Sequence, residues 1–295
     1  MLSKKQFDIL VYLTEQTSAQ SQRAMAKDLD VSIGFINKTM QALTNDGLVE
    51  NGCITDKGYE ALEPYRVKRA IFMAAGFGSR LVPITLNTPK PLVRVHGVRM
   101  IDTLLDAVLA AGITEIYVIR GYLSEQFDQL LYKYPMIKFI ENPLFNEANN
   151  IASIICAGSL IRNAYILESD LILSNPKLIT KYQYSSNYLG IPVEQTDDWC
   201  VHLEKGYIKE VGIGGVNCHQ IVGISYWTDY DGSRLVEHIK TVYNAPGGKE
   251  RLWGQVPLRY YHDEYQVSVR ECKFEDVVEI DTFKELKAID PSYDM

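Results

Sequence analysis

Residues 76–80 read Gly-Phe-Gly-Ser-Arg, and Lys90 follows ten residues after Arg80, inside Thr-Pro-Lys-Pro. Two glycines let a backbone turn tightly and approach a ligand with no Cβ in the way, so that consecutive N–H groups can converge on an anion. Arg80 stands where a guanidinium adds charge-assisted bonds to the same oxygens. The prolines flanking Lys90 hold its backbone extended. This is phosphate chemistry. No Gly-Lys-Ser/Thr closes the loop, so it is not a Walker loop, and a bare G-x-G is by itself most often a turn.

A second set of residues is acidic. Tyr165-Ile166-Leu167 runs into Glu168-Ser169-Asp170, and Glu279-Ile280-Asp281 comes late in the chain. Phosphoryl transfer uses Mg²⁺ between phosphate oxygens and hard carboxylates, typically only one or two from the protein. The plain alternative for Asp281 is a solvated turn near the N-cap of a helix over 282–289. A third set mixes acids and aromatics: Glu194, Asp198 and Trp199, then Tyr226-Trp227 and Trp253. A quaternary ammonium donates no hydrogen bonds and is held by aromatic faces with carboxylates nearby. Each tryptophan taken singly reads as core just as readily.

The string from Ala74 onward, A-A-G-x-G-x-R, with Pro83, Thr85, Pro89-Lys90 and Leu92-Val93, resembles the signature of the sugar-phosphate nucleotidyltransferase superfamily. Outside that signature, Gly121–Asp128 (G-Y-L-x-E-Q-F-D) and Asn149-Asn150-x-x-Ser153 resemble the bacterial CTP:phosphocholine cytidylyltransferases. The resemblance implies a nucleoside triphosphate on Ala74, Ala75, Gly76, Gly78 and Ser79, with Arg80 and Lys90 on its phosphates as the catalytic pair. It also implies a cytosine against Tyr122, Asn149, Asn150 and Ser153. Tyr122 has a core alternative, and the asparagines a helix-capping one. Mg²⁺ would sit on Asp170 and Asp281. Glu168 stands where the family has the first Asp of D-x-D, which leaves its role open. Glu194, Asp198, Trp199, Tyr226, Trp227 and Trp253 would hold phosphocholine, whose phosphate attacks the α-phosphorus in line and expels pyrophosphate. A family Asp after the late tryptophan is replaced by Gly254, which keeps phosphoethanolamine or 2-aminoethylphosphonate open as acceptor. A sugar 1-phosphate transferase and a DNA-binding regulator with a nucleotide-sensing domain are the further alternatives.

The elements that must position these residues follow from periodicity. From Ala70 onward apolar strands alternate with helical stretches, the pattern of an α/β fold with a mostly parallel sheet flanked by helices; the resemblance implies that this is the Rossmann-like nucleotidyltransferase sheet. Strands are expected at 71–74, 116–119, 137–140 and 164–167, and helices at 100–111, 124–134 and 150–160. Gly112 is expected to stop the first of those helices. Ligands in such sheets sit beyond the carboxyl ends of the strands, where the motifs fall. Residues 1–66 read as helices over 3–16 and 32–46 with another between, a short hairpin over 48–54, and a last helix from 55. The pattern resembles a small winged helix-turn-helix domain preceding a 70–295 nucleotidyltransferase domain. The resemblance makes the helix over 32–46 the recognition helix, and its outer face is expected to carry Asn37, Lys38, Thr39 and Gln41. Residues 1–69 carry nine basic and nine acidic side chains. DNA affinity rests on phosphate contacts, so a structural or protein-interaction role is preferred over DNA binding.

Composition bounds the rest. Of 295 residues 46% are hydrophobic and 23% charged, an ordinary globular mixture with material for a large and a small domain. A net charge of −7 argues against a dedicated nucleic-acid binder. No apolar run of about 18 residues suggests a membrane span, and the first residues show no signal-peptide pattern. Five scattered cysteines without C-x-x-C suggest neither disulfides nor zinc, and point to reducing cytoplasm. The five histidines have no metal-ligand spacing. The expected partners are CTP, a small phosphorylated amino alcohol and a second copy of the chain in a homodimer.

Overall fold

The computed structural model describes residues 1–16 and 18–294 and divides into two compact units. The first comprises Met1–Arg66 with Tyr182–Tyr184. Its helices are α1 (Lys4–Thr14), α2 (Gln22–Asp28) and α3 (Ile33–Asn45), started by Ser3, Ser21 and Ser32, each accepting an N–H from the first turn. The antiparallel pair β1 (Val49–Glu50) and β2 (Cys53–Ile54) and helix α4 (Asp56–Leu62) complete it. Ile36, Met40 and Leu43 of α3 are buried as the spacing predicts, whereas Ile33 is about half exposed. Thr39, expected on the outer face, is buried and donates to the Phe35 carbonyl, leaving Asn37, Lys38 and Gln41 outside. Tyr184 stacks on Tyr65 at 5.5 Å, which is why three residues distant in sequence join this unit.

The second unit is built on a seven-stranded sheet. Its elements in order are β3 (Arg69–Ala74), β4 (Arg94–Val95), β5 (Val98–Arg99), α5 (Met100–Ala110), β6 (Glu115–Arg120), β7 (Ile137–Glu141), α6 (Ile151–Ala157), β8 (Ala164–Glu168) and β9 (Leu171–Leu173). Then come β10 (Asn187–Glu204), β11 (Tyr207–Trp227), α7 (Asp229–Asn244), β12 (Ser268–Glu271), β13 (Val277–Glu279) and α8 (Phe283–Ile289). The strand order is β10-β12-β11-β8-β3-β6-β7, with β8, β3, β6 and β7 parallel and β11 antiparallel to β8. Alternate residues of β3 enter different cores: Ala70, Phe72 and Ala74 pack toward α5, and Ile71 toward Ile151, Ile154, Leu235 and Ile239. A strand buried on both faces must read as a continuous apolar run, as 70–74 does.

Several elements differ from the periodic reading. The expected helix over 124–134 is a 3₁₀ run, Ser124–Tyr132, and the helix over 150–160 ends at Ala157, where Gly158 takes a φ of +52°. The strand expected at 71 begins at Arg69, which pairs with Glu115 on the neighbouring strand at 3.0 Å. Gly112 does stop α5, at φ +77°. The long antiparallel ribbon β10–β11 has no counterpart in the strand list read from periodicity. Its register shifts between Thr196 and Trp199 re-aim side chains where the ribbon bends. Among the described residues no helix is long and apolar enough to cross a membrane.

Candidate active site

The glycine loop leaves the carboxyl end of β3. Gly78 adopts φ +62°, and a Cβ there would stand 2.8 Å from the Lys90 Cβ, so only glycine serves both the backbone and the packing. Thr85 Oγ1 donates to the Gly78 carbonyl at 2.9 Å and fixes the turn. Lys90 is buried, and its Nζ donates to Asp170 Oδ2 at 2.7 Å and Asp281 Oδ1 at 2.9 Å. Burial alone would push its pKa down, but Asp170 and then Asp281 outweigh it and hold the ammonium above its usual range. Arg80 grips Asp281 with both terminal nitrogens, at 2.7 and 2.9 Å. Its side chain is 64% exposed, so that pair contributes little stability.

Two motifs far apart in sequence meet through the antiparallel pair β9–β13, in which Glu279 lies opposite Leu171, and Ile280 N–H donates to the Asp170 carbonyl. Thr282 caps α8, which leaves the Asp281 carboxylate to the two cations. Oxygens of Glu168, Asp170 and Glu279 lie within 4.8 Å of one another. Burial, then Asp170, pushes Glu168 up to about 7 and Glu279 up to about 9. Asp170 Oδ1 is buried without a hydrogen-bond partner. Converging, mutually repelling carboxylates with an orphaned oxygen are what a divalent cation relieves, so the donor set fits Mg²⁺. Glu279 enters this cluster, whereas Asp281, expected as the second ligand, is engaged by Lys90 and Arg80. Glu168 keeps its place because its neighbour on β11 is Gly223, where a Cβ would lie 2.6 Å from the Glu168 Cβ.

Two hollows meet at these charges. The first, about 330 Å³, is lined by Ala74, Ala75, Gly76, Gly78, Ser79 and Arg80 of the loop region, and by Lys90, Asn149, Asn150 and Ser153. Phe145, unmarked by any motif, lines it as well and packs 5.3 Å from Phe77. Tyr122 does not reach it: its hydroxyl donates to the Thr85 and Leu86 carbonyls and its ring lies 5.0 Å from Phe77, so it braces the loop from outside. Ser153 is buried and its Oγ accepts from Asn142 Nδ2 at 3.0 Å.

The second hollow, about 380 Å³, is lined by Tyr188, Asp198, Trp199, Trp253 and Gln255 among others, and shares Arg80, Asn150, Glu168, Asp170 and Asp281 with the first. Three residues expected at the acceptor lie elsewhere. Tyr226 is buried and donates to Asn163 Oδ1 at 2.9 Å; Trp227 is fully buried and its Nε1 donates to Ser225 Oγ at 3.1 Å. Both sit where β11 pairs with β8 in the sheet interior, so successive residues are covered on either face. Glu194 is exposed and lines neither hollow.

The nucleotidyl transferase family model matches residues 69–186. Over 228 residues the chain is 35% identical to the 2-aminoethylphosphonate cytidylyltransferase of Lancefieldella rimae, covering 76% of this chain and 92% of that protein. The chain belongs to the nucleotidyl transferase family. This nucleotidyltransferase is also 29% identical over 215 residues to the choline-phosphate cytidylyltransferase of Haemophilus influenzae, covering 72% of the chain and 91% of that protein. The solved CTP:phosphocholine cytidylyltransferase of Streptococcus pneumoniae superposes with a TM-score of 0.70 at 28% identity, covering 77% of this chain and 99% of that one. The family match spans the glycine loop, Lys90 and Asp170 and stops at residue 186, before the ribbon carrying Trp199. The hollow lined by the glycine loop is built mostly from the stretch that the family model matches, whereas Trp199, Trp253 and their neighbours in the second hollow come from the ribbon and later segments beyond it.

Proposed function

We propose that this nucleotidyltransferase transfers the cytidylyl group of CTP to 2-aminoethylphosphonate, forming the phosphonate–phosphate anhydride and releasing pyrophosphate. The observation carrying this reading is the junction of the two hollows. One is lined by the glycine loop, the other by aromatics and acids, and Arg80, Asp170 and Asp281 line both. A cytidylyl donor follows from the relatives named above. A primary ammonium is favoured because the cage is incomplete: Tyr226 and Trp227 are in the core, and Asp198 and Gln255, whose side chains carry acceptor oxygens, are among the residues lining the remaining space. An ammonium with three N–H donors needs such oxygens; a quaternary ammonium does not. Phosphocholine is the second reading, supported by the Trp199 and Trp253 faces.

In this reading the loop N–H groups and Arg80 hold the β- and γ-phosphates, and the buried Lys90 ammonium faces the charge that accumulates as pyrophosphate leaves. A phosphonate oxygen attacks the α-phosphorus in line; the P–O bond to the β-phosphate breaks, and pyrophosphate departs on the glycine-loop side. The phosphonate is already an anion, so no side chain must take a proton and no covalent enzyme intermediate is needed. Glu168, Asp170 and Glu279, with Asp281 beside them, would hold Mg²⁺, which neutralises triphosphate charge when bound. Pyrophosphate release from CTP with 2-aminoethylphosphonate, phosphoethanolamine, phosphocholine and glucose 1-phosphate tests the acceptor. The highest kcat/KM is expected for the aminophosphonate; preference for phosphocholine would transfer the hollow to the second reading, and preference for the sugar phosphate would end both.

A further inference from the structure

Each side-chain carbonyl oxygen of the Asn149-Asn150 pair is already engaged by a backbone N–H of the protein itself. Asn149 Oδ1 accepts the Asn150 N–H at 2.7 Å, and its Nδ2 donates to the Glu250 carbonyl at 3.3 Å. Asn149 N–H donates to the Lys249 carbonyl at 2.7 Å, and Asn150 Oδ1 accepts the Trp253 N–H at 2.9 Å. Three hydrogen bonds therefore tie the start of α6 to residues 249–253, about a hundred positions on. That segment carries Leu252 and Trp253 into the second hollow, with the Trp253 indole stacked on Tyr188 at 6.1 Å. The indole is held by neighbouring rings, but its backbone is held by Asn150. Asn150 also lines both hollows.

We propose that Asn150 is a positioning residue for the acceptor: by holding the Trp253 backbone it sets the wall of the second hollow, and it does not choose the base. The proposal rests on the reading of that hollow as the acceptor site. With the Trp253 N–H released, the 249–253 segment keeps the bonds from Asn149 but loses the one nearest the wall. The acceptor is then held less well, while the glycine loop and Phe145 keep their places.

The test uses the full chain with Asn150→Ala and Asn150→Asp. In N150A the KM for the amine acceptor should rise about tenfold, the worth of roughly one hydrogen bond. The KM for CTP and the preference for CTP over UTP should stay within about twofold. Aspartate keeps an oxygen for the Trp253 N–H, so tryptophan emission should shift in N150A and remain that of the wild type in N150D. Loss of CTP-over-UTP preference in N150A with an unchanged acceptor KM would overturn the proposal in favour of base reading. An N150D emission shifted as far as that of N150A would overturn the backbone staple. If the wild type turns over no acceptor at all, the acceptor reading itself fails, and the emission comparison still decides the staple: equal emission in wild type and N150A overturns it.

Discussion

Replacing Lys90 by methionine keeps the volume of the side chain and removes its charge. Two charge-assisted hydrogen bonds are lost, at 2.7 and 2.9 Å, each worth about 1.5–3 kcal/mol in general. Breaking a fully buried pair costs about 3–5 kcal/mol, mostly through the charge left behind. Here that cost is reduced on two counts. Asp170 and Asp281 retain 20% and 24% side-chain exposure, and Arg80 remains on Asp281. The neighbouring Glu168, already pushed to about 7, can also take a proton and relieve the repulsion. A stability loss of about 1–3 kcal/mol follows, or roughly 2–4 °C per kcal/mol for a unit of this size. Turnover should fall far more, by about 10²–10³-fold, the effect of removing one preorganised charge from a developing anion. Thermal denaturation and pyrophosphate release on Lys90→Met read the two separately. Turnover within about threefold of the wild type in a folded variant would remove Lys90 from the mechanism. Loss of turnover matched by unfolding at the assay temperature would make it a structural cation only.

Other outcomes follow from the same geometry. Glu168 and Glu279 have folded pKa values of about 7 and about 9, above the unfolded carboxylate range, so the native state binds more protons than the unfolded one between about pH 4.5 and 9. Metal-free protein should lose stability as pH rises through that window. Added Mg²⁺ should raise the melting temperature more at pH 8.5 than at pH 6; an equal rise at both would contradict the shared carboxylate site. Gly78→Ala, which puts a Cβ at φ +62° and 2.8 Å from Lys90, should cost about 1–3 kcal/mol and depress turnover, measured by denaturant unfolding and initial rates. Trp227→Ala should cost about 3–5 kcal/mol of stability because the indole is fully buried. Trp199→Ala should leave the melting temperature nearly unchanged and raise the acceptor KM; the reverse pattern would reassign the two tryptophans.

The parts legible in the sequence are those whose chemistry is local. The apolar run into Gly76–Arg80 and the strand that ends at Glu168, just before Asp170, each combine a buried element with its adjoining loop, so one short window carries both structure and chemistry. The expected extended backbone at Lys90 is instead a 3₁₀ turn over Lys90–Leu92, entered from Pro89. Glu279 was not legible as a cluster member, although it stands in the quoted Glu-Ile-Asp, because only the β9–β13 pairing brings it to Asp170. Tyr226 and Trp227 misled for a related reason. An aromatic pair reads the same in a cage or a core, and the pairing of β11 with β8 buries both faces at that point. The β10–β11 ribbon has no clean period-two signal: its residues pass from buried sheet to exposed arm, and its register slips near Thr196. Phe145 carries no motif and is marked only by Gly121, where a Cβ would stand 2.7 Å from its ring.

Phosphorus NMR of CTP, 2-aminoethylphosphonate and Mg²⁺ with the full chain, and Asp170→Asn as control, tests the central claim most directly. The account predicts equal growth of pyrophosphate and a phosphonate–phosphate anhydride signal, absent in the control. CTP left intact, or consumed to CMP with the phosphonate unchanged, would contradict it.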